Sequence, residues 1–339
     1  MTFTLAVDAM GGDLGPRVTF EAAQQILVER SDLSIQFYIS SSESTWLDAE
    51  TSSDSFSKIL PRFHIHYCDQ FVAMDDKPSY ALRRKQTSTM AMAMKSVAVG
   101  DAGGCVSSGN SGALLAFSRY ILSTFIDIDR PAMARDIPTA DKSLLMLDLG
   151  ANINVSAEIL CQFAILSSAW RKSQGIKQPK LGLLNIGKEP GKGTEEIRLA
   201  DQLISDIKGI EYVGFVEADE IYQGELDIVV CDGFHGNVAL KTSEGLLVHI
   251  SEQFDIMLKS SFLGRVLSLF THRIIERFKR QLNPVMHSGA LLLGVNGLVI
   301  KSHGKSDKEA FYHSLRYALS ELELGSLERL PIELDKLSI

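Results

Sequence analysis

Cysteine is scarce in this 339-residue sequence, and Cys68, Cys105, Cys161 and Cys231 stand far apart with no CxxC pair. That excludes a disulfide framework and a zinc ribbon, and it suits a reducing compartment. No apolar run approaches the ~20 residues that a bilayer-spanning helix needs. The opening residues do not read as a signal peptide. Positive charge is in deficit: the formal charge is −8 and the pI is near 5.5, whereas general nucleic-acid binding needs a basic surface. The expectation is a cytoplasmic protein without a nucleic-acid partner.

Several catalytic signatures are missing too. There is no GxSxG elbow to present a serine nucleophile, and no strand is followed by the dinucleotide fingerprint GxGxxG. The stretch NIGKEPGKGTEE, from Asn185 to Glu196, imitates a phosphate-binding P-loop but fails it twice. Only three residues separate Gly187 from Gly191, and Gly193 stands between Lys192 and Thr194. A P-loop needs four residues there and an unbroken Gly-Lys-Ser/Thr, so that successive N–H groups wrap the phosphates and the hydroxyl reaches magnesium. What survives is a glycine-rich turn with a lysine at a helix start, a setting suited to an anion.

What is present is an apolar content of 45%, enough for a substantial core. Short β-branched runs alternate with helical patterns from end to end. The strands expected are FTLAVDAM from Phe3, IQFYIS from Ile35, FHIHYC from Phe63, GCVSSG from Gly104, LLMLDLG from Leu144, LGLLNIG from Leu181, YVGFVEA from Tyr212, DIVVCDG from Asp227 and LVIKSHG from Leu298. This alternation predicts an α/β fold, a mostly parallel twisted sheet with helices on both faces. No linker divides residues 1–339, which read as one catalytic unit. Ligands of such sheets gather at strand ends, where loop backbone and helix starts converge.

The strand-end turns are DAMGGD (Asp8 to Asp13), SSGNSGAL (Ser107 to Leu114), DLGAN (Asp148 to Asn152), NIGKEPGKG (Asn185 to Gly193), CDGFHGNVALK (Cys231 to Lys241) and VIKSHGKS (Val299 to Ser306). Their order and spacing, with PSYALRRKQTSTM near Pro78 and RPAMARDIP near Arg130, resemble the phosphate acyltransferase family of bacterial phospholipid synthesis. The resemblance covers most of the chain. It implies a cytoplasmic homodimer without cofactor or metal, similar in fold to isocitrate dehydrogenase and phosphotransacetylase. It also implies formation of acyl phosphate from inorganic phosphate and acyl-acyl carrier protein. Lys192 matches the family's Lys-Gly pair. Lys192, Asn237 and His303 are then the expected donors to phosphate, oxyanion or departing sulfur. Gly11, Gly12, Asp13, Asn110, Ser111, Gly112, Asn152, Gly193 and Gly236 are expected around the substrate.

This chemistry fits the missing signatures. Phosphate is already an anion near neutral pH, and a thiol of pKa about 8.5 leaves readily. Neither a covalent nucleophile nor a strong base is needed, only donors that fix phosphate against the thioester and receive the oxyanion. Each residue also has a structural reading. Lys192 could be a solvated loop lysine, asparagine beside glycine often serves a turn or N-cap, and His303 could be a satisfied structural histidine. Asp148 and Asp232 suit bracing of their own turns. Cys231, in a strand, suits buried packing. Arg83 and Arg84 suit either an acidic partner or a solvated helix face. Two rival functions stand beside the first: a phosphotransacetylase-like enzyme or dehydrogenase on the same scaffold, and a non-catalytic sensor of carrier protein or a phosphorylated ligand.

The segment 255–282 breaks the rhythm. Phe262, Leu263, Val266, Leu267, Phe270, Ile274 and Phe278 give an apolar face. Lys259, Arg265, Arg273, Arg277, Lys279 and Arg280 are opposed only by Asp255 and Glu276. This reads as a projecting amphipathic helical element. The candidates for what it meets are the partner subunit, a carrier protein, or an anionic membrane at which product passes to a downstream glycerol-phosphate acyltransferase. Phe262, Leu263, Arg265 and Leu267 are its expected contact residues.

Overall fold

The short apolar runs of the sequence become strands, and the segments between them become helices, in a computed structural model that describes residues 2–52, 56–260 and 284–337. In chain order these are β1 (Phe3–Asp8), α1 (Pro16–Glu29), β2 (Leu33–Ser40), α2 (Ser44–Thr51), β3 (Phe63–Cys68), α3 (Pro78–Arg84), α4 (Thr89–Ala98), β4 (Gly104–Ser107) and α5 (Ser111–Ile121). Next come β5 (Ala132–Pro138), β6 (Ser143–Leu147), α6 (Ala157–Ser173), β7 (Lys180–Leu184), α7 (Glu195–Ser205), β8 (Glu211–Val216), β9 (Ile228–Val230) and α8 (Gly233–Ser260). The described chain closes with β10 (Ala290–Leu293), β11 (Leu298–Lys301), α9 (Lys308–Leu324) and α10 (Ser326–Asp335).

Among the described residues eleven strands form one sheet in the order β3-β2-β1-β4-β11-β10-β5-β6-β9-β7-β8. One parallel block holds β3, β2, β1, β4 and β11, and a second holds β6, β9, β7 and β8. They run in opposite senses, because β10 pairs antiparallel with both β11 and β5, and β5 pairs antiparallel with β6. Every strand expected from the sequence is present, and the mostly parallel α/β expectation holds. The two seam strands, β5 and β10, are additional. In β5 the pattern AMARDIP sets Arg135 and Asp136 in mid-strand, and each is paired across the sheet face, Arg135 with Glu244 of α8 and Asp136 with Arg171 of α6, both at 2.6 Å. Such pairs are tertiary, so the local pattern does not announce a strand. β10 is only four residues long.

The core follows from burial of the inward strand faces against α1, α6 and α9. Leu5, Val7, Ile35 and Phe37 are fully buried, as are Phe163 and Trp170 of α6. Phe20, Trp46, Phe56 and Phe63 pack stacked or edge-on around the β2–β3 end, which adds to the hydrophobic term. α8 extends to Ser260. Residues 261–283, with Phe262, Leu263, Arg265 and Leu267, lie outside the described residues. Among the described residues no helix is long and apolar enough to cross a membrane.

Candidate active site

Where the two parallel blocks meet, the loops that leave β1, β4, β6, β9 and β11 close around a cavity of about 750 Å³. Asp13, Ser111, Gly150, Asn237, Lys301 and His303 line it. Met74, Met133, Leu149, Leu240 and Val285 add an apolar wall. An apolar cleft with a few convergent polar groups is the general form of a small-ligand site.

Each loop is held by its own chemistry. In the first, a Cβ on Gly11 would stand 2.4 Å from the Gly109 nitrogen, and Gly12 has φ +93° with the Ser108 hydroxyl and the Gly304 carbonyl beside it. Only glycines let these three loops approach so closely. The Asp13 N–H donates to the Gly304 carbonyl at 2.7 Å, tying the β1 loop to the β11 loop. In the second loop, Asn110 is the N-cap of α5: its Oδ1 accepts from the Ala113 N–H at 3.0 Å, and its amide donates to the Met74 and Asp76 carbonyls, each at 2.9 Å. Its side chain is thereby occupied. Ser111 opens the helix and lines the cavity. Gly112 packs under Pro78, where a Cβ would come within 2.7 Å.

The turn after β6 is built on Asp148, whose carboxylate is fully buried. It accepts from the N–H groups of Met133, Gly150, Ala151 and Asn152 and from the Asn152 amide. Burial nevertheless raises its pKa against these donors. The second Asn152 bond, to the Pro131 carbonyl at 2.9 Å, leaves that side chain buried and structural. Asp232 similarly accepts from the Phe234 and His235 N–H groups, both at 2.9 Å, at the start of α8. Asp148 and Asp232 therefore brace their own turns. Among the described residues no group of three or more His, Cys, Asp or Glu is arranged to hold a metal ion.

His303 lies exposed in the cleft, and its Nδ1 accepts from the Lys305 N–H at 3.1 Å. That leaves Nε2 as the protonated nitrogen of the neutral ring. Partial desolvation by the cleft walls, then the charges of Lys241 and Lys301, hold the imidazole pKa below its usual range although the residue keeps an open face. His303 is thus a neutral hydrogen-bond donor at physiological pH. Asn237 projects from the second turn of α8, exposed to the cavity and near Gly150.

Lys192 and Gly193 stand apart. Lys192 is exposed on the loop between β7 and α7 and is not among the residues lining the cavity. Gly193 has φ +85° and sits against the Asn185 amide. Thr194 caps α7 by accepting from the Ile197 N–H at 3.3 Å, and Glu195 and Glu196 occupy its first turn. The other lysine of this loop, Lys188, pairs with Glu220 at 2.6 Å. Cys231 is 3% exposed, with its thiol pushed well above the ordinary range by burial, so it is no nucleophile.

The cavity also holds residues that were not among the expected donors, although Arg135, Lys241 and Lys301 fall within the stretches RPAMARDIP, CDGFHGNVALK and VIKSHGKS. Arg135 comes from β5, Lys241 and Glu244 from α8, and Lys301 is the last residue of β11. Lys301 carries the one local signal available, a charged residue closing the apolar run LVIK. Arg135 pairs with Glu244 at 2.6 Å, which depends on packing α8 over β5, and Glu244 also pairs with Lys241 at 2.7 Å within α8 itself.

A family model described as "Fatty acid synthesis protein" matches residues 3–329. A phosphate acyltransferase from Pseudomonas savastanoi pv. phaseolicola is 41% identical over 327 residues, covering 96% of this chain and 94% of that protein. One from Halorhodospira halophila is 41% identical over 338 residues, covering 98% and 96%. Among solved structures, a phosphotransacetylase from Streptococcus pyogenes has a TM-score of 0.63 at 15% identity, covering 95% of this chain and 94% of its own. The EutD phosphotransacetylase from Staphylococcus aureus has a TM-score of 0.61 at 13% identity, covering 97% and 94%. These structures share the fold.

Proposed function

The chain belongs to the phosphate acyltransferase family, and on that premise we propose that it transfers the acyl group of a long-chain acyl-acyl carrier protein to inorganic phosphate. The product is an acyl phosphate, an early intermediate of phospholipid (phosphatidic acid) synthesis. A phosphate oxygen attacks the thioester carbonyl, the new O–C bond forms, the C–S bond breaks, and the carrier's thiolate leaves and takes up a proton. The observation that carries the reading is the composition of the cleft. It joins neutral and cationic donors, Asn237, His303 and Lys301, to an apolar wall, and no cysteine is among its described lining residues. That is the equipment for positioning and oxyanion stabilisation rather than covalent catalysis. Lys192, from its exposed glycine-bordered loop, and Asn237 are assigned to the phosphate and the tetrahedral oxyanion, with His303 as a third donor.

A phosphotransacetylase-like enzyme acting on coenzyme A thioesters fits less well. The likeness to those structures rests on the fold at 13–15% identity, against 41% to phosphate acyltransferases. A sensor would not need phosphate and thioester positions together. The test is release of free carrier thiol from a long-chain acyl-carrier protein, with and without phosphate and with EDTA in both. Phosphate-dependent release that survives chelation is the expected result. Equal rates without phosphate, or complete loss on chelation, would overturn the reading.

Homodimerisation, a cytoplasmic location and peripheral contact with the inner face of the membrane belong to the same proposal. Their support is the family resemblance and the basic amphipathic character of 255–282. There the labile, lipophilic product would pass to a downstream glycerol-phosphate acyltransferase.

A further inference from the structure

Lys301 is 8% exposed, yet it lines the cavity. Its ammonium donates to the Ser302 carbonyl and, at 3.4 Å, to the Ser108 carbonyl. These contacts fix Nζ where the ends of β11 and β4 meet. An ammonium has three N–H donors, so two carbonyls leave one for a ligand. The other cations of the cavity are differently placed. Arg135 and Lys241 share Glu244, and Lys305 is exposed. Lys301 makes no ion pair among the described residues.

The groups that face it come from three directions. From β1, Asp8 is buried beside Ser107, which donates to it at 2.7 Å, and burial raises the Asp8 pKa. Asp8 is nonetheless the carboxylate that most favours the charged form of Lys301, although it makes no ion pair with it. Asp13 follows on the same loop. Lys241 approaches from α8 with its Glu244 partner, and His303 and Lys305 belong to Lys301's own loop. Burial pushes the Lys301 ammonium down to about 8, with Lys241 acting in the same sense and Asp8 and Asp13 opposing.

We propose that Lys301 is the ammonium that holds the incoming phosphate, a role resting on the acyl-transfer reading above. Taking an ammonium out of water is costly unless an anion meets it. Of the two substrates, only phosphate carries full negative charge to this position; a thioester carbonyl does not. The competing account is a purely structural post that ties the Ser108 and Ser302 carbonyls together.

The experiment separates them by varying the two substrates independently. Thiol release is measured for the wild type, Lys301→Met and Lys301→Arg. The expected result is a loss of about 100-fold or more in kcat/KM for phosphate in Lys301→Met. Its KM for acyl-carrier protein stays within a few-fold of wild type, and Lys301→Arg recovers part of the loss. A folded Lys301→Met with wild-type phosphate KM overturns the assignment. If that variant does not fold, the wild type decides through the rise in Tm produced by inorganic phosphate from about pH 7 to about pH 10. Over the upper part of that range phosphate stays a dianion, so protection that fades as Lys301 loses its proton supports the proposal. Constant protection overturns it. Failure of the underlying reading is distinct: the wild type itself would then show no phosphate-dependent thiol release.

Discussion

A Cβ placed on Gly236 would stand 1.9 Å from the Asp148 carbonyl oxygen and 2.7 Å from the Cys231 sulfur. The start of α8 therefore rests directly on the turn after β6, and the next residue, Asn237, is aimed into the cleft. Gly236→Ala is expected to lift the helix, costing about 1–3 kcal/mol by overpacking and displacing Asn237. Thermal unfolding and turnover should fall together. Asn237→Ala is expected to leave the melt unchanged while lowering turnover ~100- to 1,000-fold, the usual range for loss of one preorganised donor. Lys192→Ala should behave in the same way if its loop supplies a donor; near-normal turnover in both folded variants would return these residues to the structural reading. The sequence marks such positions as glycine or asparagine in a strand-end turn, but it cannot say which of them touch substrate. Asn110 and Asn152 have the same local setting as Asn237, yet their amides are committed to Met74, Asp76, Pro131 and Asp148. The difference lies in which carbonyls the fold brings within reach.

At the level of elements, the parallel blocks were legible because their strands are apolar on both faces and bounded by turn residues. The seam was not, since β5 carries Arg135 and Asp136 and owes its place to partners on α8 and α6. The back of this seam holds a second polar group. Glu321 of α9 is 4% exposed and accepts from the Gln174 amide at 3.1 Å. Burial, with Asp136 acting in the same direction, pushes its carboxyl up to about 7. The folded state thus keeps a proton that the unfolded chain releases near its ordinary value. The corresponding stability is fully present below that ordinary value and is lost as pH rises through about 7. The span of the effect is about 3 kcal/mol. Glu321→Gln should flatten this pH dependence and raise stability on the alkaline side. Denaturant titrations of wild type and variant from about pH 5 to about pH 8 test it; parallel curves would remove Glu321 as the source.

For the whole molecule, charge is unevenly distributed. The chain is −8 overall, while six cations against two acids crowd into residues 255–282. A helix serving only dimer packing would bury its apolar face without needing those cations. Docking of an acidic carrier would use the cations but not Phe262, Leu263 and Leu267. An anionic membrane surface uses both, because apolar insertion and electrostatic attraction add, each basic residue near the surface giving about 1 kcal/mol. On the proposed membrane contact, a lipophilic and labile product would leave without crossing water. Phe262→Glu with Leu267→Glu is expected to abolish co-sedimentation with anionic liposomes while thiol release in solution stays at the wild-type rate. Neutral liposomes should bind the wild type more weakly, and added salt should weaken binding to anionic ones. A double variant that still sediments sinks the membrane reading. One that becomes monomeric or unfolds assigns the segment to the subunit interface, since an interfacial helix contributes affinity for lipid and not the stability of the fold.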